Sequence, residues 1–278
     1  MDGRKLSSEI ISELKRKTEN LKAKGVTPRL DIIIVGEDAS SKLYVRNKIR
    51  TSEQVGVKGE LHSFPEKTGR EKITGLIKKL NADKNVHGIL VQLPLPRHLD
   101  AQEIVDEITP SKDVDGLTAR SLGKLTMGRA DFEPCTPKGI IRLLDNEKIP
   151  LQGKHAVVIG RSNIVGKPVS LMLLKRNATV TICHSKTKHL QNHTKNADII
   201  VAAVGKARFV KEGMIKKGAV VIDAGINRSG AKIEGDVDFE RVRLKASYIT
   251  PVPGGVGPMT IAMLLENTLI SAKRKLRK

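Results

Sequence analysis

The segment 155–168 constrains the fold of this chain most strongly. Its apolar, β-branched run ends at Gly160, and a helical pattern starts near Gly166. This order predicts a strand, a tight turn and a helix whose first free N–H groups face an anion, because glycine lets the backbone approach a pyrophosphate without a Cβ. The segment therefore predicts a dinucleotide site in a Rossmann-type fold, although Arg161 and Ser162 leave it without the usual middle glycine.

The residues that follow this turn indicate which dinucleotide is bound. An NAD site usually has an acid about 20 residues past the glycines, which binds the ribose 2′-OH. No Asp or Glu occurs from Lys148 to Ala197, and the predicted strand 178–183 runs into His184-Ser185-Lys186-Thr187. These donors suit a 2′-phosphate, so the sequence favours NADP over NAD. The alternative is a solvated basic face on an ordinary α/β crossover.

Composition indicates a globular protein of two domains. The 278 residues include 39% hydrophobic ones, yet no apolar run approaches the ~18 residues of a membrane span. The N-terminus lacks the apolar core of a signal peptide and the chain has only two cysteines, so we expect a cytoplasmic protein. The net charge of +20 fits a nucleic-acid partner, a polyanionic small substrate or a host with basic or heat-adapted proteins. The aromatic content of 2% argues against nucleic acid as the partner.

Hydrophobic periodicity predicts two α/β halves, each with a parallel sheet. The predicted strands are 29–35, 57–64, 86–91, 155–160, 178–183, 198–204 and 219–224. The predicted helices include 6–24, 40–55, 70–81, 135–147 and 261–275. The segment 250–260 is rich in Pro and Gly, which predicts a rigid loop.

These elements predict the domain organisation. Residues 1–120 form an N-terminal α/β catalytic domain, and residues 121–260 form a Rossmann-like NADP-binding domain. A C-terminal helix, 261–278, packs back on the first domain, and a cleft separates the two domains. Ligands bind outside the carboxyl ends of strands in open α/β sheets, so the functional residues are expected at those ends.

Three polar side chains share one face of the predicted helix 40–55. Ser41, Tyr44 and Lys48 are spaced i, i+3 and i+7. Tyr-x-x-x-Lys is also the signature of short-chain dehydrogenases, but there it follows the glycine turn, whereas here it precedes the turn by more than a hundred residues. That order argues against a short-chain dehydrogenase, and an ordinary surface pair stays open.

Further candidates lie after the third predicted strand. Gln92 stands where that strand leaves the sheet, and Asp113 and Asp115 lie in an Asp-Val-Asp-Gly turn. Carboxylates commonly cap such turns, so a structural role stays open for each aspartate. The histidines show no metal-ligand spacing with these acids or with the cysteines, so no metal site is predicted.

Taken together, these segments resemble the bifunctional methylenetetrahydrofolate dehydrogenase/cyclohydrolase family, in order and over nearly the whole chain. The segments that carry the resemblance are Tyr44-Val-Arg-Asn-Lys48, Val91-Gln-Leu-Pro-Leu-Pro96, Lys112-Asp-Val-Asp-Gly116, Gly160-Arg-Ser-Asn-Ile-Val-Gly-Lys-Pro168, Asp223-Ala-Gly-Ile-Asn227, Gly235-Asp-Val-Asp238 and Pro251-Val-Pro-Gly-Gly-Val-Gly-Pro-Met-Thr260. Two segments depart from the family pattern. Leu117-Thr-Ala-Arg-Ser121 replaces a His-Pro-containing loop, and Ala207 stands where a proline is common.

The resemblance implies a role for each candidate residue. Lys48 would be the catalytic residue of the cyclohydrolase step, Gln92 would orient it, and Tyr44 and Asp115 would contact the pterin. Further substrate-binding residues would be Ser41, Val91, Leu93, Pro253, Gly254 and Gly255. The NADP-binding residues would be Gly160, Arg161, Ser162, Ser185 and Ile226.

The resemblance also implies an activity and an assembly. The chain would oxidise 5,10-methylenetetrahydrofolate to the methenyl form with NADP and hydrolyse that form to 10-formyltetrahydrofolate. It would act as a homodimer on tetrahydrofolate one-carbon derivatives, without a membrane or nucleic-acid partner. The alternatives are a one-carbon dehydrogenase that uses another pterin carrier or lacks the hydrolase, and a non-enzymatic NADP-binding or nucleic-acid-associated protein, which the net charge of +20 would support.

Overall fold

The computed structural model describes residues 1–229 and 232–277 and divides the chain into two compact units. The three-stranded unit comprises Glu9–Cys135 and Ile261–Lys278, and the five-stranded unit comprises Met1–Ser8 and Thr136–Thr260. Lys278, which ends the predicted C-terminal helix, lies outside the described residues. The predicted domain boundary near residue 120 stays a prediction.

The elements alternate in the α/β manner expected from the sequence. The helices are α1 (Gly3–Ala23), α2 (Ala39–Val55), α3 (Arg70–Ala82), α4 (Ala101–Val105), α5 (Ala119–Thr126), α6 (Cys135–Asn146), α7 (Gly166–Lys175), α8 (Leu190–Thr194), α9 (Phe239–Val242) and α10 (Val256–Lys273). The strands are β1 (Arg29–Val35), β2 (Lys58–Phe64), β3 (Gly88–Val91), β4 (His155–Ile159), β5 (Thr179–Cys183), β6 (Ile199–Ala202), β7 (Val220–Asp223), β8 (Asn227–Ser229), β9 (Lys232–Glu234) and β10 (Tyr248–Ile249). Short 3₁₀ helices cover Glu212–Met214 and Arg274–Arg277.

A parallel sheet organises the three-stranded unit, with the strand order β2-β1-β3. The central strand β1 is an unbroken apolar run after its first residues, as expected of a strand that is covered on both faces. Its core cluster includes Ile33, Val35, Ile73, Ile77, Ile89 and Ile104. The ladder continues past β3, because the Gln92 N–H donates to the Ile33 carbonyl at 2.8 Å. Gln92 therefore stands at the carboxyl edge of this sheet.

The five-stranded unit contains a second parallel sheet, with the order β10-β7-β6-β4-β5. Strands β4, β6 and β7 are buried almost throughout, and their side chains meet in one core cluster that includes Val157, Ile159, Ile200, Val221 and Ile215. The strand order reverses direction at β4, which lies between β6 and β5. Doubly wound sheets bind ligands beside such a reversal, at the carboxyl ends of the strands.

One predicted loop is wrong in part. The segment 250–260 was expected to be a loop throughout, but helix α10 begins at Val256. Pro258 falls in the first turn of this helix, where a backbone N–H has no intrahelical partner, so proline removes no helical hydrogen bond there. The rest of the segment, 250–255, is non-helical as predicted.

The sequence predicted no bounds for several short elements. Helices α4, α8 and α9 have only 5, 5 and 4 residues, which is too short for a 3.6-residue periodicity to be visible. Strands β8 and β9 have 3 residues each and form an antiparallel hairpin with polar residues on both strands. Their pairing depends on neighbours in the folded chain rather than on a hydrophobic pattern.

The side chain of His87 is buried in the three-stranded unit beside several cations. It is 3% exposed, its Nδ1 accepts from the Arg29 N–H at 3.2 Å, and its Nε2 has no hydrogen-bond partner among the described residues. Burial and the nearby Lys275 and Lys112 lower the pKa of His87 to about 4. The folded protein therefore holds this imidazole neutral at pH values where an unfolded chain protonates it.

We expect His87 to make the protein less stable in mild acid. Because the unfolded state binds the proton first, the free energy of unfolding falls as pH drops from about 6.5 towards 4, by up to about 3 kcal/mol. His87→Gln keeps an acceptor for the Arg29 N–H but does not titrate, so it should lose less stability over this range. Urea unfolding at several pH values measures the difference.

The control for this prediction is His98→Gln, because His98 is an exposed histidine of the same unit. This variant should keep the pH dependence of the parent. If His87→Gln and the parent lose equal stability between pH 6.5 and 4, another group causes the acid sensitivity.

Candidate active site

Helix α2 brings three predicted site residues to one face. Its N-terminus is capped by the Asp38 carboxylate, which accepts from the Ser41 N–H at 2.7 Å. Ser41 is buried, and Tyr44 and Lys48 are half-buried one and two turns further along. Gly56, at φ +81°, ends the helix in the left-handed conformation that favours glycine. The helix therefore presents a lysine inside the unit rather than on its surface.

A hydrogen bond joins this lysine to the sheet edge. The Lys48 ammonium donates to Gln92 Oε1 at 2.9 Å, across 44 residues of sequence. The Gln92 amide nitrogen donates to the Leu93 carbonyl at 2.6 Å, which fixes which end of the amide faces the lysine. Val91 and Leu93 flank Gln92 at the end of β3. The structure thus brings Lys48 and Gln92 together, as the family resemblance implied.

The two aspartates of the Asp-Val-Asp-Gly turn differ in environment. Asp113 is buried, and its carboxylate accepts the N–H groups of Gly116, Leu117 and Thr118 at 3.0, 3.2 and 2.9 Å. It shapes the turn, so the structural reading holds for Asp113. Asp115 is half-buried and interacts electrostatically with Lys48. The turn therefore places the second carboxylate within electrostatic range of the amine.

Burial changes the pKa of both Lys48 and Asp115, and their charges act on each other. It lowers the pKa of the Lys48 amine, and the Asp115 charge opposes the change. It raises the pKa of Asp115, while Lys48 and the Cys135 thiol oppose that rise. A lowered pKa increases the neutral fraction of an amine, and a neutral amine can accept a proton. The site therefore contains a candidate general base beside a polar amide and a carboxylate.

The sequence analysis missed Cys135 in this cluster. Its thiol is 1% exposed and hydrogen-bonds the Asp115 carboxylate. Cys135 appeared in the sequence only as the first residue of a predicted helix. A buried thiol and a reactive one look alike in a sequence, so no signal identified it.

In the five-stranded unit, the turn after β4 requires glycines because other backbone atoms lie very close to them. Gly160 has φ +134°, and a Cβ there would lie 2.2 Å from the Ala203 carbonyl oxygen. A Cβ on Gly166 would lie 2.3 Å from the Gly160 oxygen. The Ser162 hydroxyl accepts from the N–H groups of Val165 and Gly166 at 3.2 and 3.4 Å, so it caps the start of α7. The structure thus has the predicted order of strand, tight glycine turn and helix at this place.

The predicted 2′-phosphate residues lie at the carboxyl ends of two adjacent strands. Strands β4 and β5 pair in parallel, and the Gly160 N–H donates to the Cys183 carbonyl at 2.9 Å. Arg161 follows β4 and Ser185 follows β5, and both are exposed. The Thr187 hydroxyl accepts from the His184 N–H at 2.9 Å and closes the turn that presents Ser185.

Two buried carboxylates hold the loops after β6 and β7. Asp236 accepts from the N–H groups of residues 204–206 at 2.5 to 2.9 Å and from the Asn227 amide at 2.8 Å. Asp223 accepts from the N–H groups of residues 225, 236 and 237, each at 2.9 Å. Burial and the neighbouring Asp236 raise the pKa of Asp223 to about 6. Ile226 sits exposed in this framework, and the sequence analysis gave neither carboxylate a role.

The glycines next to these carboxylates are fixed by space. A Cβ on Gly225 would lie 2.2 Å from the Asp236 carboxylate, and a Cβ on Gly235 would lie 1.9 Å from Asp223 Oδ2. The signal for this pair was present in the sequence as Gly next to Asp in two short segments. The sequence alone does not show that each glycine packs against a carboxylate, because the residues in contact lie more than ten positions apart.

The remaining predicted substrate residues, Pro253, Gly254 and Gly255, also belong to the five-stranded unit. Gly254 has φ +111°, and its carbonyl accepts from the Arg4 N–H at 3.0 Å. A Cβ on Gly3 would lie 1.8 Å from the Gly255 oxygen. The N-terminal Asp-Gly-Arg segment therefore packs on this loop and supports it.

The two departures from the family pattern are ordinary local structure here. In the segment 117–121, Thr118 caps helix α5, and its hydroxyl accepts from the Ser121 N–H at 3.1 Å. Ala207 lies beside Arg208, which has φ +53°.

Within the part of the chain that the structure describes, no cluster of His, Cys, Asp or Glu could hold a metal ion. None of the helices described there is both long and apolar enough to cross a membrane.

Comparison with known proteins identifies relatives over the full chain. The model of the tetrahydrofolate dehydrogenase/cyclohydrolase catalytic domain matches residues 1–115, and that of the NAD(P)-binding domain of the same family matches residues 134–276. The bifunctional protein FolD of Thermodesulfovibrio yellowstonii is 54% identical over 278 residues, which cover 100% of this chain and 97% of the relative. That of Moorella thermoacetica is 53% identical and covers 99% and 98%.

Solved structures show the same similarity in three dimensions. The bifunctional FolD methylenetetrahydrofolate dehydrogenase/cyclohydrolase of Campylobacter jejuni superposes with a TM-score of 0.97 at 50% identity, over 99% of this chain and 98% of that chain. The Trypanosoma brucei enzyme, complexed with NADP and an inhibitor, superposes with a TM-score of 0.96 at 37% identity, over 100% and 98%.

These matches confirm several predictions made from the sequence. They confirm the two-domain α/β fold, with one catalytic and one NAD(P)-binding domain. They also confirm the enzyme class, a tetrahydrofolate dehydrogenase and cyclohydrolase with a nicotinamide dinucleotide cofactor. This chain therefore belongs to the tetrahydrofolate dehydrogenase/cyclohydrolase family.

Proposed function

We propose that this protein oxidises 5,10-methylenetetrahydrofolate to 5,10-methenyltetrahydrofolate with NADP and hydrolyses the product to 10-formyltetrahydrofolate. Family membership supports both activities. The observation that carries the proposal is the bond from the Lys48 amine to Gln92 Oε1, at 2.9 Å, in a cluster with Asp115. The hydrolytic step transfers protons, and a half-buried amine held in this way can accept a proton and donate it again.

In the proposed hydrolysis, Lys48 acts as the general base and then as the general acid. Water adds to the methenyl carbon, and its proton passes to the neutral amine. The resulting ammonium donates that proton to N5 as the bond between N5 and the carbon breaks. The carbinol O–H loses its proton to solvent as the formyl C=O forms, so the hydrolysis releases one proton overall. Burial of Lys48 serves this role, because it lowers the pKa of the amine.

The other residues near Lys48 have binding and orienting roles in this proposal. Gln92 holds the amine through its Oε1, and Asp115 binds the polar edge of the pterin. Tyr44 lies against the pterin ring as an aromatic surface. The substrate is flanked by Ser41, Val91, Leu93, Pro253, Gly254 and Gly255.

The five-stranded unit has features that fit a bound NADP. Gly160 and Gly166 allow the tight turn before helix α7, because a Cβ at either position would collide with backbone. Arg161 and Ser185 are exposed at adjacent strand ends with no acid near them in sequence. We propose that Gly160, Arg161, Ser162, Ser185 and Ile226 hold the cofactor. The chemistry that NADP supplies when bound is acceptance of the hydride from the methylene carbon. Alignment by the protein is the main requirement for that transfer, since no acid or base is needed.

We further propose that the protein is a cytoplasmic homodimer. Strand β5 is an edge strand, and it exposes Ile182, with Leu174 exposed on the preceding helix. Exposed apolar residues beside an unpaired strand edge favour association with a second copy. Cys135 and Cys183 are buried and form no disulfide, which agrees with a reducing compartment.

We expect Lys48→Met to abolish the hydrolase while NADP still binds. Loss of the base should lower kcat for hydrolysis of methenyltetrahydrofolate by about 10²- to 10⁴-fold, measured as the decay of methenyl absorbance. Arg50→Met, an exposed position on the same helix, is the matched control and should keep the parental rate. Hydrolysis by Lys48→Met at the parental rate would show that another group is the base.

We expect Arg161→Ala to weaken NADP binding far more than NAD binding. The guanidinium would form a charge-assisted bond to the 2′-phosphate, so the Kd for NADP should rise about 10- to 100-fold while that for NAD changes little. Titration calorimetry with both dinucleotides measures this. Lys175→Ala removes an equal charge at the far end of helix α7 and should spare both. An equal loss for NADP and NAD would contradict the assignment.

We expect sedimentation velocity to show a species of about twice the 30.4 kDa chain mass. Ile182→Lys places a charge on the exposed edge and should shift the species towards the monomer. A parent chain that sediments as a monomer at micromolar concentrations would overturn the dimer proposal without affecting the proposed chemistry.

A further inference from the structure

A buried amide on helix α10 contacts the backbone next to the active-site aspartate. Asn267 is 1% exposed, and its Nδ2 donates to the Val114 carbonyl at 2.8 Å and to the Glu133 carbonyl at 3.0 Å. It also approaches Cys135 Sγ at 3.7 Å. Asn267 stands among apolar helix residues, where a buried amide is costly unless it is fully hydrogen-bonded. The hydrogen bonds of Asn267 must therefore offset the free-energy cost of burying its amide.

The contacts of Asn267 tie two separate segments together. Val114 directly precedes Asp115, and Glu133 lies two residues before Cys135. The contacts span 153 and 134 residues of sequence, so they bring together parts of the chain that no local structure would join. One segment carries the carboxylate that acts electrostatically on Lys48, and the other carries the thiol that interacts with that carboxylate.

The thiol of Cys135 has one proton and two acceptors. Sγ donates to the Val114 carbonyl at 3.3 Å, and the Asp115 carboxylate is the alternative acceptor of the same proton. A bond to an ionised carboxylate is stronger than one to a neutral carbonyl. The thiol therefore favours the charged form of Asp115, and Asn267 keeps the thiol in place through its own contact with sulfur.

We propose that Asn267 and Cys135 are positioning residues, which hold the Asp115 carboxylate towards the Lys48 amine during hydrolysis. The inference rests on the proposed role of Lys48 and goes beyond it by assigning a function to two residues outside the substrate-contacting set. Neither residue is required to touch the substrate. Both act through Asp115.

The charges around the pair set the expected pH effect. The pKa of Lys48 depends on burial, Asp115 and Cys135. The pKa of Asp115 depends on burial, Lys48, Cys135 and Asp113. Burial lowers the pKa of Lys48, and the Asp115 charge raises it. When the carboxylate loses its thiol donor or turns away, the amine loses its ionic partner. The pKa of Lys48 then falls further, and the acidic limb of the rate profile moves to lower pH.

The test compares Cys135→Ala, Cys135→Ser and Asn267→Ala. We expect Cys135→Ala and Asn267→Ala to lower kcat for methenyltetrahydrofolate hydrolysis about tenfold and to shift the acidic limb of its pH profile to lower pH. Cys135→Ser keeps a donor to Asp115 and should restore the parental profile. The Kd for NADP should stay unchanged in all three, because the substitutions lie outside the proposed cofactor residues.

The matched control is Ser271→Ala. Ser271 lies one turn further along the same helix, and its hydroxyl donates to the Ser111 carbonyl at 3.0 Å, with no bond to the segment of Asp115 or Cys135. Its loss should lower the melting temperature without moving the pH profile. A purely structural role for Asn267 predicts the same behaviour for Asn267→Ala. If Asn267→Ala fails to fold, the Cys135→Ala and Cys135→Ser pair decides the proposal.

Failure of the inference differs from failure of the proposed function. If Cys135→Ala keeps the parental profile while Lys48→Met abolishes hydrolysis, the positioning proposal is overturned and the base assignment stands. If Lys48→Met hydrolyses methenyltetrahydrofolate like the parent, the base assignment falls, and the positioning proposal falls with it. A shift of the profile in Cys135→Ser equal to that in Cys135→Ala would also overturn the proposal, because a donor alone would then be insufficient.

Discussion

The hydrogen bond from Lys48 to Gln92 is the constraint around which the three-stranded unit is arranged. A lysine amine is strongly hydrated, so removing it from water has a cost that the protein must offset with partners. Helix α2 supplies the lysine, the end of β3 supplies the amide at 2.9 Å, and the turn after Asp113 supplies a carboxylate. Because these partners offset the cost only in part, the amine keeps a lowered pKa, which is the property a proton-transfer catalyst requires.

The five-stranded unit meets a different requirement, since its turn after β4 must pack backbone closely against backbone. Glycine at positions 160 and 166 allows this packing, and the Ser162 hydroxyl occupies the cap of helix α7. Two further carboxylates, Asp223 and Asp236, bind the N–H groups of the adjoining loops. Their oxygens accept the hydrogen bonds that the loop N–H groups would otherwise donate to water. The loops are therefore held in place although they have little regular structure. Rigid loops of this kind are suited to aligning a cofactor.

Long elements were predictable from the sequence because their hydrophobic patterns are complete within themselves. Strands β1 and β4 and helices α2 and α3 lie close to where periodicity placed them. The start of α10 at Val256 was missed, because proline and glycine disfavour helices in general but are tolerated in a first turn. The hairpin of β8 and β9 was missed as well, because its three-residue strands carry no pattern of burial. Of the site, Lys48, Gln92 and the glycine turn were identified, whereas Cys135 and Asn267 were not.

The sequence by itself determined the kinds of residue available and their order: a glycine turn after a β-branched strand, no acid after it, and a lysine on a helix in the other half. Those features depend on local geometry and charge, which neighbours in sequence already define. Only the tertiary structure decided that Gln92 meets Lys48 and that Asp113 shapes a turn while Asp115 acts electrostatically on the amine. It also decided that Asn267 reaches Val114 from 153 residues away. Burial and contact between distant segments set the pKa of a side chain, and no local pattern encodes them.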